Sequence, residues 1–210
     1  MTKGFRQVGR AEIPGGGQVS VQGTHAYVGH LDPPHGTSIL DVSDPKHPEL
    51  LSTIMLPDYM HSHKVRVHGD VMQVNNEGLR PRRIRICGAP SRSTTSPTSG
   101  TPARSRSSIA PVRASTASDY DGDYAYISPT VEGWHGNIAM IVDMRDPLRP
   151  TEVSRWWMPG QWTAGGETPT WEGTRTRCHH PLRLGNRLYV SYWHGASASS
   201  ISRTSPSRRP

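Results

Sequence analysis

Two segments of the chain, about a hundred residues apart, repeat one pattern. Residues 38–57 (SILDVSDPKHPELLSTIMLP) and 140–159 (MIVDMRDPLRPTEVSRWWMP) each contain an apolar pair followed by Asp-x-x-Asp-Pro-x-x-Pro. Asp41 and Asp143 are 102 residues apart. That distance is too long for one supersecondary repeat and fits two repeats of about 50 residues. A further copy is therefore expected midway between them.

Hairpin patterns accompany the repeated segment. Apolar residues alternate on both sides of a Gly, Asn or Asp turn in QVSVQGTHAYVGH (18–30), HKVRVHGDVMQVNN (63–76), DYDGDYAYIS (119–128) and HHPLRLGNRLYVSYW (179–193). This pattern is typical of two antiparallel strands. The apolar-Asp segment supplies a third strand, and the segment after Asp-Pro supplies a fourth. The sequence predicts an all-β fold, an incomplete β-propeller of four-stranded antiparallel blades, with blade regions at residues 15–77 and 119–195.

Two segments differ from the rest in composition. Residues 78–118 contain eight Arg and no Asp, Glu or Lys, and residues 196–210 contain three Arg and no acid. These eleven arginines exceed the net charge of +7, so the rest of the chain is net acidic. Such Ser, Thr, Arg and Pro mixtures favour disorder. A nucleic-acid partner is not expected, because no aromatic residue interrupts either segment to stack on bases.

A shifted reading frame explains the missing copies. Read one nucleotide out of phase, the codons for residues 93–98 permit Y-D-V-S-D, those for 199–204 permit I-I-D-I-S-D, and those for 114–118 permit V-H-R-F. Each match lies where the repeat requires it. We therefore interpret 78–118 and 196–210 as frameshifted segments without regular structure, and expect the chain to be a fragment that is non-functional as written.

The motifs SILDVSDP and MIVDMRDP, each preceded by a Tyr-containing hairpin, resemble LVIVD-repeat β-propellers. They are more distantly similar to the selenium-binding protein and methanethiol oxidase propellers. The resemblance covers about residues 15–77 and 119–195. It implies the propeller fold and carries little information about function.

Histidines are the candidate functional residues. Six residues before the turn glycines Gly69, Gly122 and Gly185 stand His63, Thr116 and His179, and the shifted frame permits His at the middle position. A second set precedes the third strands. In an antiparallel meander both positions lie on one face, where neutral imidazoles suit a transition metal such as Cu, Zn or Fe. The predicted ligands are His63, His179, His180, His35, His135 and His194.

Alternatives to a metal site stay open. A histidine at a strand start can instead hydrogen-bond a neighbouring carbonyl and lock one blade to the next. Cys178, in Cys-His-His-Pro, could offer a thiolate, although adjacent strand residues point to opposite faces. His47 and His68 fall in turns on the opposite face and serve as controls. Residues 158–177, which carry Trp162 and Trp171, form either a lid over the histidine face or an anchored surface loop.

The remaining expectations concern location and partners. The N-terminal tail, residues 1–14, has no apolar stretch typical of a secretory signal, and no 18-residue apolar run predicts a membrane span. We expect a cytoplasmic protein with no membrane partner. Two function classes stay open: a metal-binding propeller acting on a small-molecule substrate, and an interaction scaffold with a protein partner, structural histidines and no metal.

Overall fold

The computed structural model describes residues 4–78, 87–90, 113–171 and 176–202. Its first sheet is a four-stranded antiparallel meander in chain order. The first hairpin turns at Gly23, where φ is +58°, a left-handed conformation that glycine adopts without a side-chain clash. The strands are β1 (Gly16–Gln22), β2 (His25–His30), β3 (His35–Asp41) and β4 (Glu49–Met55).

The next strands form two smaller sheets. The hairpin around Gly69 belongs to a three-stranded sheet, and a two-stranded pair lies beside it. The three-stranded sheet contains β6 (Val65–His68), β7 (Val71–Val74) and β9 (Cys87–Pro90), and the pair consists of β5 (Met60–His61) and β8 (Glu77–Gly78).

The second half of the chain repeats the meander. One sheet has four strands and the last has three, each antiparallel and in chain order. A single 3-10 turn, Thr163–Gly165, lies between them. The strands are β10 (Arg113–Tyr120), β11 (Tyr124–Thr130), β12 (Ala139–Asp143), β13 (Thr151–Trp156), β14 (Arg177–Leu184), β15 (Arg187–Trp193) and β16 (Gly195–Ser202).

The Asp-x-x-Asp-Pro motif forms the turn between the third and fourth strands. Asp41 Oδ1 accepts a hydrogen bond from the Ser43 amide at 2.7 Å, and Asp44 Oδ1 accepts one from the Lys46 amide at 2.9 Å. The second copy makes the same pair of bonds, from the Arg145 amide to Asp143 and from the Leu148 amide to Asp146. Aspartate suits this position because its short side chain accepts a hydrogen bond from the backbone amide two residues later.

The hydrophobic core lies between neighbouring sheets. Tyr27 packs against Val65 and Met72 of the second sheet, and Tyr126 packs against Leu188 and Val190 of the last. Between the second and third sheets, Val71 packs against a cluster of buried side chains on the third sheet that includes Ile127. Each completely buried aliphatic side chain of this kind contributes roughly 1.5–3 kcal/mol. The sheets are therefore stacked in series, each on its neighbour in the chain.

The prediction of an all-β fold is confirmed, since no α-helix occurs among the described residues. The third and first sheets have the four strands expected of each unit. The described residues do not form a closed ring of sheets, so the propeller stays an interpretation, to which we return below.

Three strands lie in segments for which we predicted no regular structure. β9, β10 and β16 pair with β7, β11 and β15 of the hairpins predicted from the sequence. These strands reach into the two segments, and the prediction that residues 78–118 and 196–210 otherwise lack regular structure stays a prediction. Backbone N–H and C=O groups on a sheet edge pair with any extended segment, whatever its side chains. Residues 79–86, 91–112 and 203–210 lie outside the described residues.

Candidate metal centre

A recurring backbone irregularity positions the predicted histidine slot. Between β14 and β15 the paired residues step from Cys178↔Tyr192 to Pro181↔Val190, so β14 contains one extra residue. The same shift separates Gly16 from Val19 in β1 and Ser115 from Ser118 in β10. Each is a β-bulge, which re-aims side chains. The slot six residues before the turn glycine lies in the bulge each time.

The bulge in β14 brings two imidazoles together. His179 and His180 jointly face Ser191, and the His180 amide donates to Ser191 Oγ at 3.1 Å. Their Nδ1 atoms are 3.1 Å apart, a hydrogen-bond distance. One Nδ1 therefore carries a hydrogen and donates it, and the other accepts the hydrogen bond. The expectation that adjacent residues here point to opposite faces is therefore wrong for this pair, because the strand is not regular.

A second histidine pair lies at the start of the second sheet. β5 pairs with β8 so that His61 stands opposite Glu77, and His63 follows two residues later. One ligand atom from each of these three side chains lies within 4.8 Å of the others. His61 Nε2 is 3.7 Å from Glu77 Oε2. We call these three residues the His61–His63–Glu77 cluster.

Asn75 holds this cluster in place. Its Oδ1 accepts from the Lys64 amide at 2.6 Å, which directs its Nδ2 towards Glu77 Oε1 at 3.2 Å and His63 Nδ1 at 3.3 Å. In this orientation His63 Nδ1 accepts the Asn75 hydrogen bond and Nε2 of the neutral ring carries the proton, so a metal at Nδ1 would replace that hydrogen bond. His61 Nδ1 is buried with no hydrogen-bond partner among the described residues.

The surroundings keep the imidazoles neutral. Burial, followed in order of effect by Lys64, His61, His180 and His179, lowers the pKa of His63 to about 4. Burial also lowers the pKa of His61, opposed by Asp32. Since neutral imidazole is the form that coordinates metals, both rings are in the binding form at neutral pH.

The second pair shares this environment. Burial, followed in order of effect by Lys64, His179 and Arg66, lowers the pKa of His180 to about 4. Burial, then Lys64 and Arg177, lowers the pKa of His179. Because Lys64 acts on His63, His179 and His180 alike, these residues lie around one lysine. His179 and His180 are thus within electrostatic reach of His63, and a metal site shared by the three histidines stays a prediction.

The other three predicted ligands lie elsewhere. His35 packs its ring against His30 at 5.7 Å and has Nδ1 3.3 Å from the Asp32 carbonyl. His135 is exposed, with its ring 5.6 Å from Trp171. His194 is exposed in a left-handed conformation, φ +57°. None of these three is among the side chains whose ligand atoms converge in the His61–His63–Glu77 cluster.

Three residues of this region escaped sequence reasoning. His61 and His63 are separated by one residue, which places two side chains on the same side of an extended segment, and this signal was present in the sequence. Glu77 gave no signal, because its position depends on the pairing of two-residue strands. The third residue is His30, which is buried and forms hydrogen bonds with the Gly15 carbonyl at 3.0 Å and with Ser38 Oγ at 2.8 Å.

Cys178 and the Trp-rich loop have separate roles. Cys178 is completely buried in the core, where burial raises the pKa of its thiol, so it does not act as a thiolate. In the loop, the Glu167 carboxylate accepts hydrogen bonds from Trp157 Nε1 and from the amides of Gly160 and Trp162. Trp162 also stacks on Trp134 at 6.0 Å. The loop is anchored on its own chain, and its function as a lid stays a prediction.

Comparison with known families identifies one repeat. The LVIVD repeat matches residues 16–55, the span of the first sheet from β1 to β4. No curated protein matches the chain. The structure contains, among its described residues, no helix of the length and hydrophobicity needed to cross a membrane. The chain is thus an all-β protein with one recognised LVIVD repeat, and the similarity to selenium-binding propellers stays a prediction.

Proposed function

We propose that the chain is a β-propeller-type repeat protein in which the four larger sheets are successive blades. Three observations support this. One LVIVD repeat coincides with one sheet. Gly69, Gly122 and Gly185 have positive φ, like Gly23 of that repeat. The first strands of the sheets, β1, β6, β10 and β14, lie side by side in chain order, as the inner strands of blades would.

We further propose that the His61–His63–Glu77 cluster binds a divalent transition metal. The observation that carries this is the convergence of three ligand atoms within 4.8 Å of one another. One of them belongs to His61, whose side chain is only 11% exposed. Two imidazoles and a carboxylate form a ligand set used for Zn and for non-haem Fe, and imidazole also suits Cu. Such a set leaves coordination positions open for a small-molecule substrate.

The neighbouring residues have defined parts in this proposal. Asn75 orients Glu77 and His63. His179 and His180 lie close enough to influence His63 and supply a donor and an acceptor to whatever occupies the open positions. Cationic Lys64 lies among these groups and favours an anionic occupant.

The experiment is elemental analysis of protein purified without chelators. We expect a stoichiometric metal, and at least about tenfold weaker affinity in His61→Ala, His63→Ala and Glu77→Gln. His179→Ala should have a smaller effect. The matched control is His47→Ala, because His47 is exposed and its ion-pair partner in the described part of the chain is Asp44, 2.8 Å away. Absence of stoichiometric metal, or equal loss in the control, would contradict the proposal.

The scaffold function is the second candidate, and His30 favours it. This completely buried imidazole joins the segment before β1 to β3 through two hydrogen bonds. A histidine in such a role is structural. If His61→Ala and His63→Ala resemble His30→Ala, with loss of stability and no metal in the parent protein, the scaffold explanation is favoured.

A further inference from the structure

One tyrosine position recurs in three sheets and is buried in only two of them. Tyr27, Tyr126 and Tyr189 each stand four residues after a turn glycine. Tyr27 is 7% exposed and Tyr126 is 1% exposed, whereas Tyr189 is 38% exposed. The face of the last sheet is therefore open at the position where the equivalent faces are covered.

The internal interfaces show what covers such a tyrosine. Tyr27 is covered by Val65 and Met72, and Tyr126 by Leu188 and Val190. The covering residues come from the neighbouring sheet. Met72 and Leu188 stand three residues after their own turn glycine, and Val190 stands five residues after it. Each repeat thus has a tyrosine face and an aliphatic face, and the tyrosine face of one sheet packs against the aliphatic face of the next.

The open tyrosine face is broadly apolar. Leu182 is paired with Tyr189 across the ladder, so both side chains lie on the same side of the sheet. Leu184 and Trp193 lie on that side by strand alternation. Their exposures are 45% for Leu182, 71% for Leu184 and 45% for Trp193. Leu182, Leu184 and Tyr189 form one exposed apolar surface, and Trp193 extends it about 13 Å further along β15; such a surface favours a partner.

The chain also carries the matching aliphatic face. Ala26 and Val28 of the first sheet stand three and five residues after Gly23, and Leu40 lies beside them. No complete sheet covers this face among the described residues. Its neighbours are Ala11 and Ile13 from the segment before β1, together with Val42. Residues 5–13 form no strand, so moving Ala11 and Ile13 breaks no strand pairing among the described residues, while His30 continues to hold the Gly15 carbonyl.

We propose that the surface formed by Leu182, Leu184, Tyr189 and Trp193 docks the first sheet of a second copy of this chain. On the second copy, the contact surface is the face formed by Ala26, Val28 and Leu40. Residues 11–13 of that copy move away from this face when the two copies associate. The contact repeats between chains the packing of tyrosine against aliphatic residues that the structure shows within one chain. It joins two different surfaces, so it is head-to-tail. It does not depend on the proposed metal.

The test is sedimentation velocity of the full chain over a wide concentration range. We expect the weight-average sedimentation coefficient to rise with concentration. Tyr189→Lys and Leu184→Lys should weaken association at least about tenfold, because each places a charge in an apolar contact. The control is Leu148→Lys, which replaces an exposed leucine, 44% accessible, in the turn before β13. Leu184 is so exposed that its substitution leaves the fold intact.

A second variant examines the other partner surface. Ile13→Ser removes part of the cover over Ala26 and Val28, and we expect severalfold stronger association. Monomer at every concentration would overturn the proposal. So would association that Leu184→Lys and Leu148→Lys reduce equally, because a different surface would then mediate it. Association weakened by Ile13→Ser would also overturn it, since the segment before β1 would then hold the copies together.

Discussion

Two glycines allow the backbone beside the candidate metal centre to approach the first sheet. A Cβ atom at Gly29 would lie 2.7 Å from both the Ser62 carbonyl oxygen and the His63 carbonyl carbon. One at Gly17 would lie 2.6 Å from the His63 carbonyl oxygen. Both distances are below any ordinary contact. The position of His63 therefore depends on residues that have no side chain.

We predict that Gly29→Ala lowers the free energy of unfolding by about 1–3 kcal/mol, because the methyl group forces the backbone of Ser62 and His63 to move. Chemical denaturation measures the change. Gly16→Ala is the matched control, since its Cβ would meet only Val28 Cγ1 at 3.6 Å, an ordinary contact. Equal stability of the two variants would show that residues 62–63 do not lie against Gly29.

The buried imidazoles predict a pH dependence of stability. His63 and His180 have pKa values of about 4 in the folded protein, against about 6.5 for an unfolded histidine. Between these values the unfolded chain binds protons that the folded protein does not. The unfolding free energy of chelator-treated protein should therefore fall as the pH is lowered from about 6.5 to about 4.

Thermal unfolding across this pH range tests that prediction. In a His63→Gln, His180→Gln variant the decline should be shallower, because Gln does not titrate. A decline of the same size in the variant would assign the effect to other groups.

The turn between the third and fourth strands can be tested as an element. Asp41→Ala removes the acceptor for the Ser43 amide, so amide exchange at Ser43 should accelerate. Asp41→Asn keeps an oxygen at the same place and should largely preserve protection. Hydrogen exchange followed by NMR distinguishes the two. If both variants exchange alike, the carboxylate charge and not the hydrogen bond stabilises the turn.

Sequence patterns predicted some elements and missed others for physical reasons. The hairpins around Gly23, Gly122 and Gly185 were predictable, because alternation and turn residues are local properties. β9 and β16 were not, since their strands depend on pairing with a neighbour. The same holds for the site: His63 and His179 were named from their spacing to a turn glycine, whereas Glu77 reaches His61 only through the β5–β8 pairing.

Sheets stacked in series shape the behaviour of the whole molecule. Each sheet packs mainly on its neighbours in the chain, so stability is a sum of local terms. We expect a broad thermal transition, with the van't Hoff enthalpy of unfolding smaller than the calorimetric one. Differential scanning calorimetry measures both. Equal enthalpies would show that the sheets unfold as one cooperative unit and would contradict this prediction.

The shifted-frame interpretation makes a prediction about the gene. Single-base slips should occur near codons 78–92, 118 and 196. β10 and β16 include residues whose codons, read in the shifted frame, restore the repeat. In their sheets β10 is the first strand and β16 is the third, in chain order. Independent clones with an uninterrupted frame and these Ser and Arg codons would contradict the interpretation.

The bulge near the start of the first strand has an evolutionary consequence. Its place is set by the backbone, six residues before a turn, and the copies carry glycine, threonine or histidine there. A single codon change at this point can therefore add or remove an imidazole without altering the sheet that presents it. Duplication of the repeat multiplies such points. A lineage built from these units can acquire or lose reactivity one copy at a time, while its architecture stays under separate selection.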